Sequence, residues 1–140
     1  PDEKPISVCI SANDWIEGGF VPEDAVQVAK AFKAVGCDIM DVSSGQVVVE
    51  EEPNYGRLFQ LPFSEKVRLE AEIPTMTVGN IQSYADANSI IAGGRADICV
   101  IARMHLFDPY WARHAANELA YPLEMPDQYK SVEVYTPRWI

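Results

Sequence analysis

A chain of 140 residues with 48% hydrophobic content is the size of one domain and can bury a core without disulfide or metal staples. Its formal charge of −10 repels phosphate backbones and anionic lipid heads, which argues against nucleic acid or a membrane as partner but leaves room for a local basic pocket that holds one anionic small molecule. No stretch reaches the roughly 18 to 20 unbroken apolar residues of a membrane span, and Pro1-Asp2-Glu3-Lys4 lacks the basic and apolar regions of a signal peptide, so a cytoplasmic protein is expected.

Ile6 to Ile10 is short, β-branched and bounded by Pro5 and the polar cluster Ser11-Ala12-Asn13-Asp14, which predicts a buried strand. From Pro22 to Val35 the residues Ala25, Val28, Ala29, Phe32 and Val35 recur at helical spacing, with Pro22 and Glu23-Asp24 suited to a first turn and Gly36 to a stop. Cys37 to Val42 predicts a second strand, ending in Ser43-Ser44-Gly45. An irregular loop follows from Gln46 to Gln60, and its Glu50-Glu51-Glu52 reads as a solvated acidic turn rather than a metal site. A helix is predicted from Pro62 to about Glu72, with Pro74 as its limit, then a strand from Thr75 to Val78 that ends in Gly79-Asn80. Ser83 and Asp86 resemble a capping box, Ala87, Ile90 and Ile91 give an apolar face, and Gly93-Gly94 ends that helix. Ile98 to Ile101 predicts a fourth strand ending in Ala102-Arg103. Asp108 as N-cap and Pro109 at the first helical position then open what reads as the strongest helix, with the stripe Trp111, Ala112, Ala115, Ala116 and Leu119. Cys9, Cys37 and Cys99 are odd in number, widely spaced and set in apolar runs, so they are read as reduced and mostly structural.

This reading gives four βα units over 1–121 and an irregular tail over 122–140, whose Tyr129, Tyr135 and Trp139 are expected to pack along a surface or a partner chain. In parallel sheets ligands collect at the carboxyl ends of the strands, so the chemistry should lie in the four clusters there. Four such units form either an open doubly wound sheet or half of a TIM-type (βα)8 barrel. Length favours the open sheet. However, Ser11-Ala12-Asn13-Asp14 is no GxGxxG fingerprint, and in barrels the phosphate site lies after the last two strands, where this chain has Gly79-Asn80 and Ala102-Arg103. A (βα)4 half-barrel is the better reading.

The strings Ile10-Ser11-Ala12-Asn13-Asp14-Trp15, Asp41-Val42-Ser43-Ser44-Gly45, Gln60-Leu61-Pro62-Phe63, Val78-Gly79-Asn80-Ile81, Gly94-Arg95-Ala96-Asp97, Ile101-Ala102-Arg103 and Asp108-Pro109-Tyr110-Trp111 resemble, in order and spacing, the second half of the Old Yellow Enzyme family of FMN-dependent barrel oxidoreductases. Within that family Asn13 to Gly19 looks most like the oxidoreductase region of bifunctional salicylyl-CoA and anthraniloyl-CoA hydroxylases. The resemblance implies that Gly79, Asn80, Ala102 and Arg103 hold the phosphate of FMN, since glycine lets a backbone N–H approach closely and guanidinium pairs bidentately with phosphate. Without it, Arg103 reads as an ordinary surface or ion-paired arginine. Ser43 and Ser44 would lie near the ribityl chain or flavin edge. Arg95 and Asp97 are assigned to a structural ion pair on the opposite, stability-bearing face.

Two departures stand beside the matches. At Cys9 many relatives carry an arginine facing the flavin's pyrimidine edge, and a thiol supplies no such charge. The substrate-gripping and proton-donating residues of the family belong to the first half of the barrel; His105 and His114 match none of them and read as surface residues. The resemblance implies an NAD(P)H-reduced, FMN-dependent enzyme acting on an electron-poor alkene or aromatic thioester. Its competitor is a non-catalytic half-barrel that binds flavin weakly or serves as an assembly module. Unpaired sheet edges invite another chain, so a homo-oligomer or a place within a larger fusion protein is expected.

Overall fold

The computed structural model describes residues 3–132. The order is β1 (Ser7–Ser11), α1 (Pro22–Ala34), β2 (Ile39–Ser43), α2 (Leu61–Ala71), β3 (Thr75–Thr77), α3 (Tyr84–Ala92), β4 (Ile98–Cys99), α4 (Arg103–Phe107) and α5 (Trp111–Glu118), then a 3₁₀ turn over Asp127–Val132. The four strands form one parallel sheet in the order β1-β2-β3-β4. A doubly wound sheet reverses its strand order at a switch point, whereas each crossover here returns to the next strand in line, which is how a barrel is wound. The fold is therefore a (βα)4 half of a TIM-type barrel.

Strand alternation decides which side is dry. Val8, Ile10, Met40 and Val42 point to one face and pack against Ala25, Val26 and Ala29 of α1 and Val67 and Ala71 of α2. Leu61, Ile81, Ile90 and Ala96 form a second cluster under α3. On the other face, register aligns Cys9 with Asp41, Asp41 with Met76, and Met76 with Ile98, a row that no helix covers among the described residues.

Local chemistry sets the helix ends. Pro22 suits the first turn of α1, and Asp24 Oδ2 accepts the Val21 N–H at 3.2 Å. At the far end of α2, Glu72 turns left-handed (φ +52°) and the Lys33 ammonium donates to the Ala71 and Glu72 carbonyls at 3.2 and 2.6 Å, a cation where the helix leaves carbonyls unpaired. The capping box of α3 forms as predicted: the Asp86 N–H donates to Ser83 Oγ at 3.1 Å and the Ser83 N–H to Asp86 Oδ2 at 3.2 Å.

Several expectations are corrected. The stripe on α1 ends early: Val35 is 80% exposed because the helix stops at Ala34, and Val26 is buried in its stead. α5 keeps its amphipathic stripe but is short, 8 residues, and starts later than expected. A separate α4 precedes it, and Asp108 spends its carboxylate on the Tyr110 N–H (3.0 Å) and His114 (2.7 Å), an Asx-type turn that delays the helix to Trp111 and leaves Ala115 as its buried residue. Arg95 and Asp97 do not pair with each other. Glu65 and Arg68 of α2 offer the matching charges instead: Arg95 binds Glu65 at 2.7 Å and Asp97 binds Arg68 at 2.9 Å. The acidic turn is not wholly solvated, since Glu51 accepts the Gln46 N–H and the Glu52 N–H donates to the Trp15 carbonyl at 3.1 Å. All three cysteines are free. Cys37 is buried against Met40, but Cys9 is exposed and so does not fit the structural reading. His105 and His114 lie exposed on α4 and α5, as predicted. Tyr129 is half-exposed, while Tyr135 and Trp139 lie outside the described residues.

Candidate functional site

The carboxyl ends of the strands are tied to one another before any ligand is considered. Ser43 Oγ donates to the Ile10 carbonyl (3.2 Å), Ser11 Oγ to the Gly45 carbonyl (3.3 Å), and the Gly45 N–H to the Asn13 carbonyl (2.8 Å), so the tips of β1 and β2 move as one. Asn13 Oδ1 accepts the Trp15 N–H at 2.8 Å and helps hold that residue at φ +56°. The indole meets Phe63 edge-on at 5.4 Å and donates from Nε1 to Ser44 Oγ at 3.0 Å; Ser44 Oγ donates in turn to Gln60 Oε1 at 2.9 Å.

At the tip of β3, Gly79 (φ +111°) and Asn80 (φ +57°) are consecutive left-handed residues. A Cβ on Gly79 would lie 2.8 Å from Gln60 Nε2 and 2.9 Å from its Cβ and Cγ, so glycine is required both by the dihedral and by this close approach. The Asn80 side chain is committed to the protein: Nδ2 donates to the Gly56 carbonyl (3.0 Å) and Oδ1 accepts from Gln82 (2.8 Å). The backbone N–H groups of Gly79 and Asn80 have no partner among the described residues. Successive main-chain N–H groups on such a turn form a concavity suited to an anion.

Arg103, at the tip of β4, forms no salt bridge among the described residues. Ser43, Ser44, Gly79, Asn80, Ala102 and Arg103 line one cleft of about 1040 Å³. Although 21 of the 140 residues are acidic, the lining holds no Asp or Glu among the described residues, and Arg103 is the one cation among them. The arrangement accepts anions by exclusion of carboxylates as much as by the guanidinium. Cys9 is not in this lining. It sits on β1 in the uncovered row beside Asp41, where partial burial and then the Asp41 charge raise its thiol above the usual 9.0.

One wall of the cleft is the loop between β2 and α2, and its anchor lies outside the cleft. Arg57 Nε donates to Asp86 Oδ1 at 2.8 Å, fastening the loop to the start of α3. Burial pushes the Asp86 carboxyl up, but Arg57 and the N–H groups of Ser83 and Gln82 outweigh it and hold the group below its ordinary 3.8. Sequence reading passed over Gln60 and Trp15 as site residues. Both stand in strings quoted for the family, yet nothing in their spacing says that they join the strand tips.

A parallel half-barrel with a cleft at its carboxyl face, where the described lining carries no carboxylate, defines one part of a (βα)8 barrel protein. Residues 2–121 match the NADH:flavin oxidoreductase / NADH oxidase family, and the chain belongs to that family. It is 42% identical over 131 residues to an NADPH dehydrogenase of Geobacillus thermodenitrificans, 42% over 127 to one of Halalkalibacterium halodurans and 39% over 127 to one of Listeria innocua. In each case 91% of this chain is covered and 37% of the relative, so the chain spans little more than a third of their length. Among solved structures, a GGGPS from Thermoplasma volcanium aligns with TM-score 0.48 and 17% identity over 77% of this chain and 43% of that one.

Membership implies FMN as cofactor. The residues present fit that group. Two unpartnered main-chain N–H groups, a guanidinium free of carboxylates and a cleft of mononucleotide size are what a phosphate ester needs. Among the described residues no helix is long and apolar enough to cross a membrane, and no cluster of His, Cys, Asp and Glu could hold a metal ion.

Proposed function

We propose that this chain is the FMN-phosphate-binding half of an NADPH-dependent oxidoreductase of the ene-reductase kind, working in the cytoplasm on a small molecule. The observation that supports this reading is that Gly79, Asn80 and Arg103 line one cleft whose described lining holds no carboxylate. When bound, FMN would supply hydride-transfer chemistry between NADPH and an electron-poor alkene or aromatic thioester. The chain's own part is to hold and orient. Gly79 and Asn80 offer N–H donors to the phosphate, Arg103 pairs with its oxygens, Ala102 keeps that approach unobstructed, and Ser43 and Ser44 face the ribityl side.

A half-barrel leaves the outer edges of β1 and β4 unpaired among the described residues, and relatives are about two and a half times as long. Either a longer protein contains this half, or two copies close on each other. A second reading, a half-barrel with weak flavin binding and no catalysis, is favoured by Cys9, which brings a thiol beside the Asp41 carboxylate where the resemblance implies an arginine in many relatives.

Titration of the purified chain with FMN, followed by flavin fluorescence, tests the assignment. Arg103→Ala should weaken binding at least tenfold while riboflavin binding stays unchanged, since a charged hydrogen-bonding pair contributes about 1.5–3 kcal/mol. Equal affinity of parent and variant would remove the phosphate site from this cleft. A Cys9→Arg variant that gains affinity would support the second reading's account of why the site is weak.

A further inference from the structure

Gln60 is 6% exposed and sits between the tips of β2 and β3, one residue before α2. Its amide is oriented by its neighbours. The Trp15 indole N–H can only donate, so it occupies a lone pair of Ser44 Oγ; the Ser44 hydroxyl hydrogen is then available for an acceptor, and Gln60 Oε1 stands 2.9 Å away. That turns the Nε2 end toward Gly79, where it lies 2.8 Å from the place a Gly79 Cβ would take. Nε2 carries two N–H donors and has no acceptor among the described residues, although the residue is more than nine-tenths buried and lines the cleft. An amide with one end satisfied and the other open to a cleft offers its two donors to whatever acceptor fills that cleft, water or ligand.

We infer that Gln60 is a binding residue that donates from Nε2 to a phosphate oxygen of the mononucleotide beside Gly79, and that Trp15 and Ser44 are positioning residues that fix which end of the amide faces the ligand. This rests on the FMN reading above and deepens it: three strand-end loops, not two, hold the phosphate. It gives a reason for an indole at position 15, whose own ring is not in the cleft lining. Phe63 at 5.4 Å and the Asn13 turn hold the ring in place; the indole holds Ser44, and Ser44 holds Gln60.

The test uses the purified 140-residue chain with FMN and riboflavin as probes. Gln60→Glu keeps the shape and the acceptor for Ser44 but replaces both donors with a carboxylate oxygen; Gln60→Leu removes the whole amide. Either should weaken FMN binding by about tenfold or more and leave riboflavin binding unchanged, with Gln60→Glu the worse of the two. Ser44→Ala and Trp15→Phe should each weaken FMN binding by a smaller factor. In the parent chain the Gln60 side-chain NH2 resonances should shift on adding FMN and not on adding riboflavin. Thermal unfolding of each variant identifies any that fail to fold, and the resonance shift in the parent chain then decides alone.

If FMN affinity is unchanged in Gln60→Glu while Arg103→Ala loses it, the inference falls and the phosphate cleft stands. If riboflavin binding drops by the same factor as FMN binding, the amide faces the ring or ribityl chain and the inference also falls. No FMN binding by the parent chain overturns both.

Discussion

Gly79→Ala sets two costs against one residue, and the structure separates them. The φ of +111° strains an L residue by about 1–3 kcal/mol. The new methyl would also meet Gln60 Cβ and Cγ at 2.9 Å and Nε2 at 2.8 Å. Two of those three atoms lie near the Gln60 backbone, and the residue is buried, so it cannot swing aside; overpacking of this kind adds about 1–3 kcal/mol. The expected loss is about 2–6 kcal/mol, a large share of the roughly 5–15 kcal/mol that a domain has. Gly36→Ala is the control. Gly36 has a similar φ, +96°, but nothing within 4 Å of its Cβ position, so it reports the backbone part alone. Urea unfolding followed by circular dichroism should place Gly79→Ala below Gly36→Ala by about the overpacking cost. If the two variants are equally stable, or Gly79→Ala matches the parent, the close approach of β3's tip to Gln60 is wrong, and with it the geometry of the cleft wall.

Asp86 should govern acid stability through α3. Its folded carboxyl is held below its ordinary 3.8, so its contribution is fully present above that pH and is lost as pH falls through the lower folded value. Asp86→Asn should cost about 1–3 kcal/mol at pH 7 and flatten the fall in stability below about pH 4; a parallel pH profile in the two proteins would refute the assignment. The hydroxyls of Thr75 and Thr77 are buried without a partner among the described residues, on the face packed against the helices. Thr77→Val should therefore raise the urea midpoint, by about 1 kcal/mol in stability, where loss of a made hydrogen bond would lower it.

The architecture was legible because it is written in short-range chemistry. β-branched runs between turn residues gave the strands, and Ser83 with Asp86 gave a helix start that the structure reproduces bond for bond. Errors arose where a side chain had a choice of partners. Asp108 reads as an N-cap in sequence, yet its carboxylate serves Tyr110 and His114 and the helix begins later. Arg95 and Asp97 look like a pair until α2 brings Glu65 and Arg68 across the sheet. For the cleft, six of the seven nominated residues come together, because strand-end clusters in a parallel sheet must lie on one face. Gln60 escaped notice since its role depends on contacts with Ser44 and Gly79, sixteen and nineteen positions away, which no local pattern encodes.

The row Cys9, Asp41, Met76, Ile98 sets a condition on whatever meets it. Three of its members tolerate dehydration and the fourth, an acidic side chain in the second column, does not. Any surface that closes over this side must carry a donor or a positive charge opposite Asp41, because sealing the carboxylate away alone would cost several kcal/mol. A single acid thereby screens candidate mates: a flat greasy face is rejected, and one with a matching cation at one spot is admitted.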